Sequence, residues 1–217
     1  CGSRYESAAD HGMAHFIEHM LFKGTERRSA FDIAAAIDSV GGVMNAFTGK
    51  ELTSLYIKVS DDHLPLAIDL LADIVRRSRF AAEEIEREKT VVRQEIRMLE
   101  DSPDELIHEV FEGAFWGEHP LGRPVLGTEE RVNGYTRTGL IAFFERMYRG
   151  RNLVLSAAGR LDHAAFVRQV EAAFGMLPEG GRQDGTPAPW TEARQVVQEK
   201  DLEQAHLVVG TLAPSAC

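Results

Sequence analysis

"HFIEH", residues 15–19, decides how this chain is read: two histidines stand four apart in an apolar stretch, with Glu18 directly before the second. Residues at i and i+4 stack on one face of a helix, so His15 and His19 share a face and Glu18 lies beside them. Around them Met13, Phe16, Ile17, Met20 and Leu21 recur at helical spacing. The pattern predicts a partly buried helix that starts at Asp10, with the Asp10 side chain as its cap.

Outward from this helix, "SAFDIAAAIDSV" reads as a second one, with Ser29 and Asp32 spaced as a capping box and Gly41-Gly42 as the stop. "VMNAFTGKELTSLYIKV" reads as two strands around a Gly49-Lys50 turn, since Leu55, Ile57 and Val59 alternate. Three helices follow, over "DHLPLAIDLLADIVRRS", "AAEEIEREKTVVRQEIRMLED" and "PDELIHEVFEGAF". After the Gly- and Pro-rich loop "GEHPLGRPVLGT" come helix "RTGLIAFFERMY", strand "NLVLSAAG" and helix "DHAAFVRQVEAAFGML". Strands and helices mix without strict alternation, which favours α+β layers over a doubly wound sheet. Residues 178–190, "PEGGRQDGTPAPW", have linker composition, and the tail beyond them holds enough chain for two strands.

The bulk numbers narrow the class. With 217 residues and 44% apolar content the chain can bury a real core. Thirty-four acidic against 24 basic residues give a formal charge of −10, which argues against a nucleic-acid surface. Only Cys1 and Cys217 are present, at the two ends, so neither a disulfide framework nor a cysteine metal site is indicated. No apolar run is long enough to span a membrane. A first residue other than Met leaves the question of a leader, and with it the compartment, open.

Neutral imidazoles at i and i+4 can approach one zinc ion, and HxxEH is the zinc-protease HExxH reversed. Two ligands do not make a site: a catalytic zinc takes three protein ligands and leaves a position for water, from which a neighbouring carboxylate can take the proton. In a chain with eight histidines the motif could also be plain core; a third ligand would separate the two readings. Glu88 and Glu95 are candidates, because residues seven apart lie only roughly 20° apart around a helix axis. Both fall in or beside the stripe of Ile85, Val92, Ile96 and Leu99, where an unpaired carboxylate would be costly. The remaining histidines, His11, His63, His108, His119, His163 and His206, have no second metal-type partner at helical spacing and read as surface or core.

At these residues the chain resembles the inverted-motif zinc peptidases, the family that includes pitrilysin, insulin-degrading enzyme and the mitochondrial processing peptidase. The matching stretches are "HGMAHFIEHMLFKGT", "GGVMNAFTGKELTSLYIKV", "EREKTVVRQEIRMLEDSPDE", "HPLGRPVLGT" and "MYRGRNLVLSAAG", in the family's order. The resemblance implies a two-layer α+β fold, a mixed β-sheet covered by helices. It implies zinc held by His15, His19 and Glu95, with Glu18 as general base and Glu88 as a supporting catalytic glutamate. Asn45, Ala46, Phe47 and Thr48 would then form an edge strand whose backbone pairs with an extended peptide or unfolded polypeptide.

On the same resemblance, residues 1–177 would be a zinc-binding domain lacking its first strand, 178–190 a linker and 191–217 the start of a next domain. A second homologous half or subunit would close the active chamber. The competing expectation is a catalytically silent scaffold subunit of the same fold. A small-thioether hydrolase of similar topology ranks behind both.

Overall fold

The computed structural model describes residues 1–181 and 183–213. Helix α1, Met13–Leu21, is the axis around which the rest is arranged. Phe16, Ile17 and Leu21 are completely buried on it, while His15, Glu18 and His19 occupy its less buried face. Burial of three such side chains contributes about 1.5–3 kcal/mol each, which anchors α1 firmly.

The start of α1 differs from the sequence expectation. Asp10 does not cap it; the N-cap is Gly12, at φ 85°, with no side-chain cap of its own. The carboxylate of Glu6 takes that role, accepting the backbone N–H of Gly12 at 2.8 Å and of Ala14 at 2.7 Å. Gly12 is required twice over. Its φ is left-handed, and a Cβ there would lie 2.6 Å from the Tyr135 hydroxyl and 2.7 Å from Gly127 Cα.

Helix α2, Ala30–Asp38, starts on the expected capping box between Ser29 and Asp32. Strands β1, Val43–Thr48, and β2, Thr53–Lys58, pair antiparallel, with Asn45 opposite Tyr56 and Thr48 opposite Thr53. Helices α3, Leu64–Arg77, α4, Ala82–Asp101, and α5, Pro103–Trp116, follow. After the glycine-rich loop come a short α6, Glu129–Gly134, then α7, Arg137–Met147, and α8, His163–Phe174. α1 packs on α4, β1 and α7. The core there gathers Val92, Val132, Leu140 and Phe143, all buried.

The turn after α1 is tied to α3 through the completely buried Asp73. Its carboxylate accepts Thr25 Oγ1 and Arg28 Nη1, each at 2.8 Å, and Arg77 Nη1 at 3.3 Å. Those partners satisfy a charge that would otherwise be costly to bury.

The protein is α+β, as expected, but among the described residues the sheet is two-stranded and antiparallel rather than mixed. Residues 153–159 of the expected strand "NLVLSAAG" have no ladder partner among the described residues. They and β2 line one open cleft of about 920 Å³, whereas paired strands must run roughly 5 Å apart. No strand forms in 191–213 either; Val196, Val197, Leu207 and Val209 remain exposed there. Cys217 lies outside the described residues. No helix among those described is long and apolar enough to cross a membrane.

Candidate metal centre

α1 and α4 cross so that the face carrying His15 and His19 meets the one carrying Glu88 and Glu95. The two imidazoles meet edge to face, 4.7 Å apart between ring centres and inclined at 66°. Glu95 Oε2 is 3.4 Å from His19 Nε2 and 3.7 Å from His15 Nε2. The His15, His19 and Glu95 ligand atoms all lie within 4.8 Å of one another, and no other histidine joins such a group among the described residues.

These three side chains fit a zinc ion. Ligands about 2.0–2.1 Å from a tetrahedral centre sit roughly 3.4 Å from each other, close to the separations found. Glu95 Oε2 is shielded from solvent yet has no hydrogen-bond partner of acceptable geometry among the described residues. Two nitrogens and one carboxylate oxygen are also a donor set that zinc accepts.

Glu88 lies one layer out, its side chain 4% exposed. Its Oε2 accepts His19 Nδ1 at 3.1 Å, and its Oε1 pairs with Lys23 Nζ at 2.6 Å. The Nδ1 bond leaves His19 Nε2 facing Glu95, which is how an outer carboxylate fixes a ligand tautomer. Glu18 receives a short hydrogen bond from Thr48 Oγ1, and Thr48 Oγ1 also lies 3.1 Å from Thr53 Oγ1. The base candidate is therefore held by the end of the hairpin.

Without metal the charges are unevenly placed. Burial and the neighbouring His19 lower His15 to about 4, against the pull of Glu95. Burial acts against protonation of His19 too, but the carboxylates of Glu88 and Glu95 outweigh it and raise His19 to about 9. Burial raises Glu18, partly offset by the Thr48 bond. His19 beside it lowers Glu95. Glu88 is lowered despite its burial, through His19 and Lys23.

Of the expected substrate segment, Asn45 and Phe47 are exposed while Ala46 and Thr48 are half-buried. β1 pairs only with β2 among the described residues, so its other edge carries no ladder. Three contributors escaped the sequence reading: Glu6, the Thr48 side chain and Lys23. Thr48 and Lys23 act across contacts between distant elements, and Glu6 reaches α1 from outside the usual cap position, so no familiar spacing advertises them. Trp116 packs edge-to-face on Phe115, an anchoring contact.

A helix bearing HxxEH packed on a second helix bearing a glutamate, with an antiparallel hairpin alongside, is the arrangement of an inverted-motif metallopeptidase domain. The chain belongs to the insulinase family, peptidase family M16, whose model matches residues 1–129. A second model, the peptidase M16 inactive domain, matches residues 134–216.

An uncharacterized zinc protease of Mycobacterium leprae is 44% identical over 218 residues, covering 98% of this chain and 49% of that protein. The uncharacterized zinc protease YmxG of Bacillus subtilis is 41% identical over 209 residues, covering 96% of this chain and 51% of that protein. The chain thus spans about half the length of these relatives. Among solved structures, pitrilysin matches with a TM-score of 0.75 at 26% identity, over 88% of this chain and 21% of that one. A protease from Helicobacter pylori shares the fold, with a TM-score of 0.79 at 24% identity, over 88% of this chain and 46% of that one.

Proposed function

We propose that this chain carries the zinc-binding part of a metallopeptidase acting on extended peptides, with His15, His19 and Glu95 as ligands and Glu18 as general base. The observation that carries the reading is Glu95 Oε2, shielded from solvent and without a hydrogen bond of good geometry among the described residues, yet 3.4 Å from His19 Nε2 and 3.7 Å from His15 Nε2. A bound zinc would supply Lewis acidity toward a carbonyl and toward water.

The protein's own groups do the rest. Glu18 takes a proton at its carboxylate and hands it on, and burial raises its proton affinity above that of an ordinary carboxylate, in the direction a base needs. Thr48 Oγ1 holds one carboxylate oxygen in place. The free edge of β1 over Asn45–Thr48 offers backbone N–H and C=O groups to a peptide strand. Glu88 supports His19. To the same reading belong residues 1–177 as the zinc-binding domain, 178–190 as linker, 191–217 as the start of a next domain, and a second homologous half or subunit that closes the chamber.

The test uses the full-length protein. Glu18→Gln is expected to keep one zinc per chain and lose turnover by a factor of about 10²–10⁴ or more, because the base is gone and the ligands remain. Glu95→Gln is expected to lose zinc. Full zinc in the Glu95 variant would defeat the ligand assignment. A second reading, a silent scaffold subunit, draws on the inactive-domain match over 134–216; zinc-loaded full-length protein that cleaves no unfolded peptide would favour it.

A further inference from the structure

Beyond the ligands, one buried contact stands out. Glu88 is 3% exposed and lies on the packed stripe of α4 between Ile85 and Val92. A carboxylate so placed needs partners for both oxygens. It has one each: His19 Nδ1 on Oε2 and Lys23 Nζ on Oε1.

Lys23 is well placed for this. It follows the α1 C-cap, Phe22, and its backbone N–H donates to Met20 O at 3.1 Å. A cation is favoured at that helix end. Gly24, at φ 105°, then turns the chain away toward Thr25 and the Asp73 cluster. Lys23 is thereby fixed on both sides along the backbone while its side chain reaches across to α4.

We propose that Lys23 is a positioning residue for the metal centre: by gripping Glu88 Oε1 it aims Oε2 at His19 Nδ1, which in turn presents His19 Nε2 to the ion. The inference rests on the ligand assignment given under Proposed function. With Oε1 held by an ammonium group, the carboxylate cannot turn about its terminal bond without leaving a buried oxygen unpaired. Remove the ammonium group, and Glu88 is free to swing. His19 then loses the contact that fixes its ring orientation. Removing outer-shell partners of this kind typically weakens metal binding by 10–100-fold.

The experiment measures zinc affinity of the full-length protein by chelator competition, together with the His19 Nδ1–H proton resonance of the zinc-loaded form. Lys23→Met is expected to weaken zinc binding about tenfold and to broaden or shift that resonance. Lys23→Arg keeps a donor to Oε1 and is expected to stay within about threefold of the parent, since a guanidinium can still pair with a carboxylate. Lys58→Met, at the exposed end of β2, controls for lost charge.

Parent-like affinity in Lys23→Met overturns the proposal, as does an Arg variant as weak as the Met variant, or an equal loss in Lys58→Met. If Lys23→Met fails to fold, Lys23→Gln takes its place, with the same tenfold loss expected and parent-like affinity again overturning the proposal. A parent protein that binds no zinc refutes the ligand assignment itself and is recognised by the absence of affinity in every variant. Glu95→Gln without zinc alongside a parent-like Lys23→Met refutes the Lys23 role alone.

Discussion

Glu6 shows how one side chain outside the motif governs it. Its carboxylate closes the N-terminus of α1 by accepting two backbone N–H groups, and the helix dipole there also favours an anion. Burial works the other way and prevails, raising Glu6 to about 7 from an ordinary 4.5. A buried carboxyl with that value keeps its proton in the folded state after the unfolded chain has released it. Stability therefore falls as pH rises from about 4.5 to about 7 and levels off above. The amount is on the order of 3 kcal/mol. Urea unfolding across that window should show the decline in the parent and a flatter profile in Glu6→Gln. Equal slopes in the two proteins would sink the assignment. None of this was legible in the sequence, where Asp10, adjacent to the helix, was the natural cap and Glu6 was just one more acid.

At the scale of single elements, local signals did well where both partners lie within one turn. The Ser29–Asp32 capping box is present as spaced: Asp32 N donates to Ser29 Oγ at 3.1 Å and Ser29 N to Asp32 Oδ2 at 2.9 Å. Ser29→Ala should lower thermal stability by about 1 kcal/mol, read as a reduced melting temperature with zinc stoichiometry unchanged. On α4, seven-residue spacing placed Glu88 and Glu95 on one side, and the structure brings both to His19. Spacing could not say which glutamate would sit deeper. Glu88 is buried because it falls between Ile85 and Val92 on the packed stripe, whereas the side chain of Glu95, nearer the helix edge, is 37% exposed. The strand expected over "NLVLSAAG" fails for the complementary reason. Its apolar alternation is real, but a strand exists only when another backbone runs within hydrogen-bonding reach, and here β2 lies across a cleft.

Across the whole molecule, the centre joins parts far apart in the chain: α1 brings two imidazoles, α4 a carboxylate 76 positions beyond His19, and β1 the threonine that holds Glu18. An ion bound there would crosslink α1 to α4 in the folded state only. Ligand linkage at a hundredfold excess over Kd is worth about 2.7 kcal/mol. Stripping zinc from the full-length protein with a chelator should lower its melting temperature by several degrees, and Glu95→Gln should show no such chelator effect. An identical chelator-induced drop in that variant would place the stabilising ion elsewhere.

The sequence by itself determined the seven longer helices but not the short α6, and with them the hairpin, the α1 face that carries the HxxEH motif and the α4 face that carries two glutamates. Periodicity and capping are short-range properties, written within a few residues of each other. Only the tertiary structure decided that Glu6 closes α1, that Thr48 grips Glu18, that Lys23 pairs with Glu88 and that the sheet stops at two strands among the described residues. Those outcomes depend on which surfaces pack together and how far apart they come to rest, and burial then sets the electrostatic value of each group they enclose.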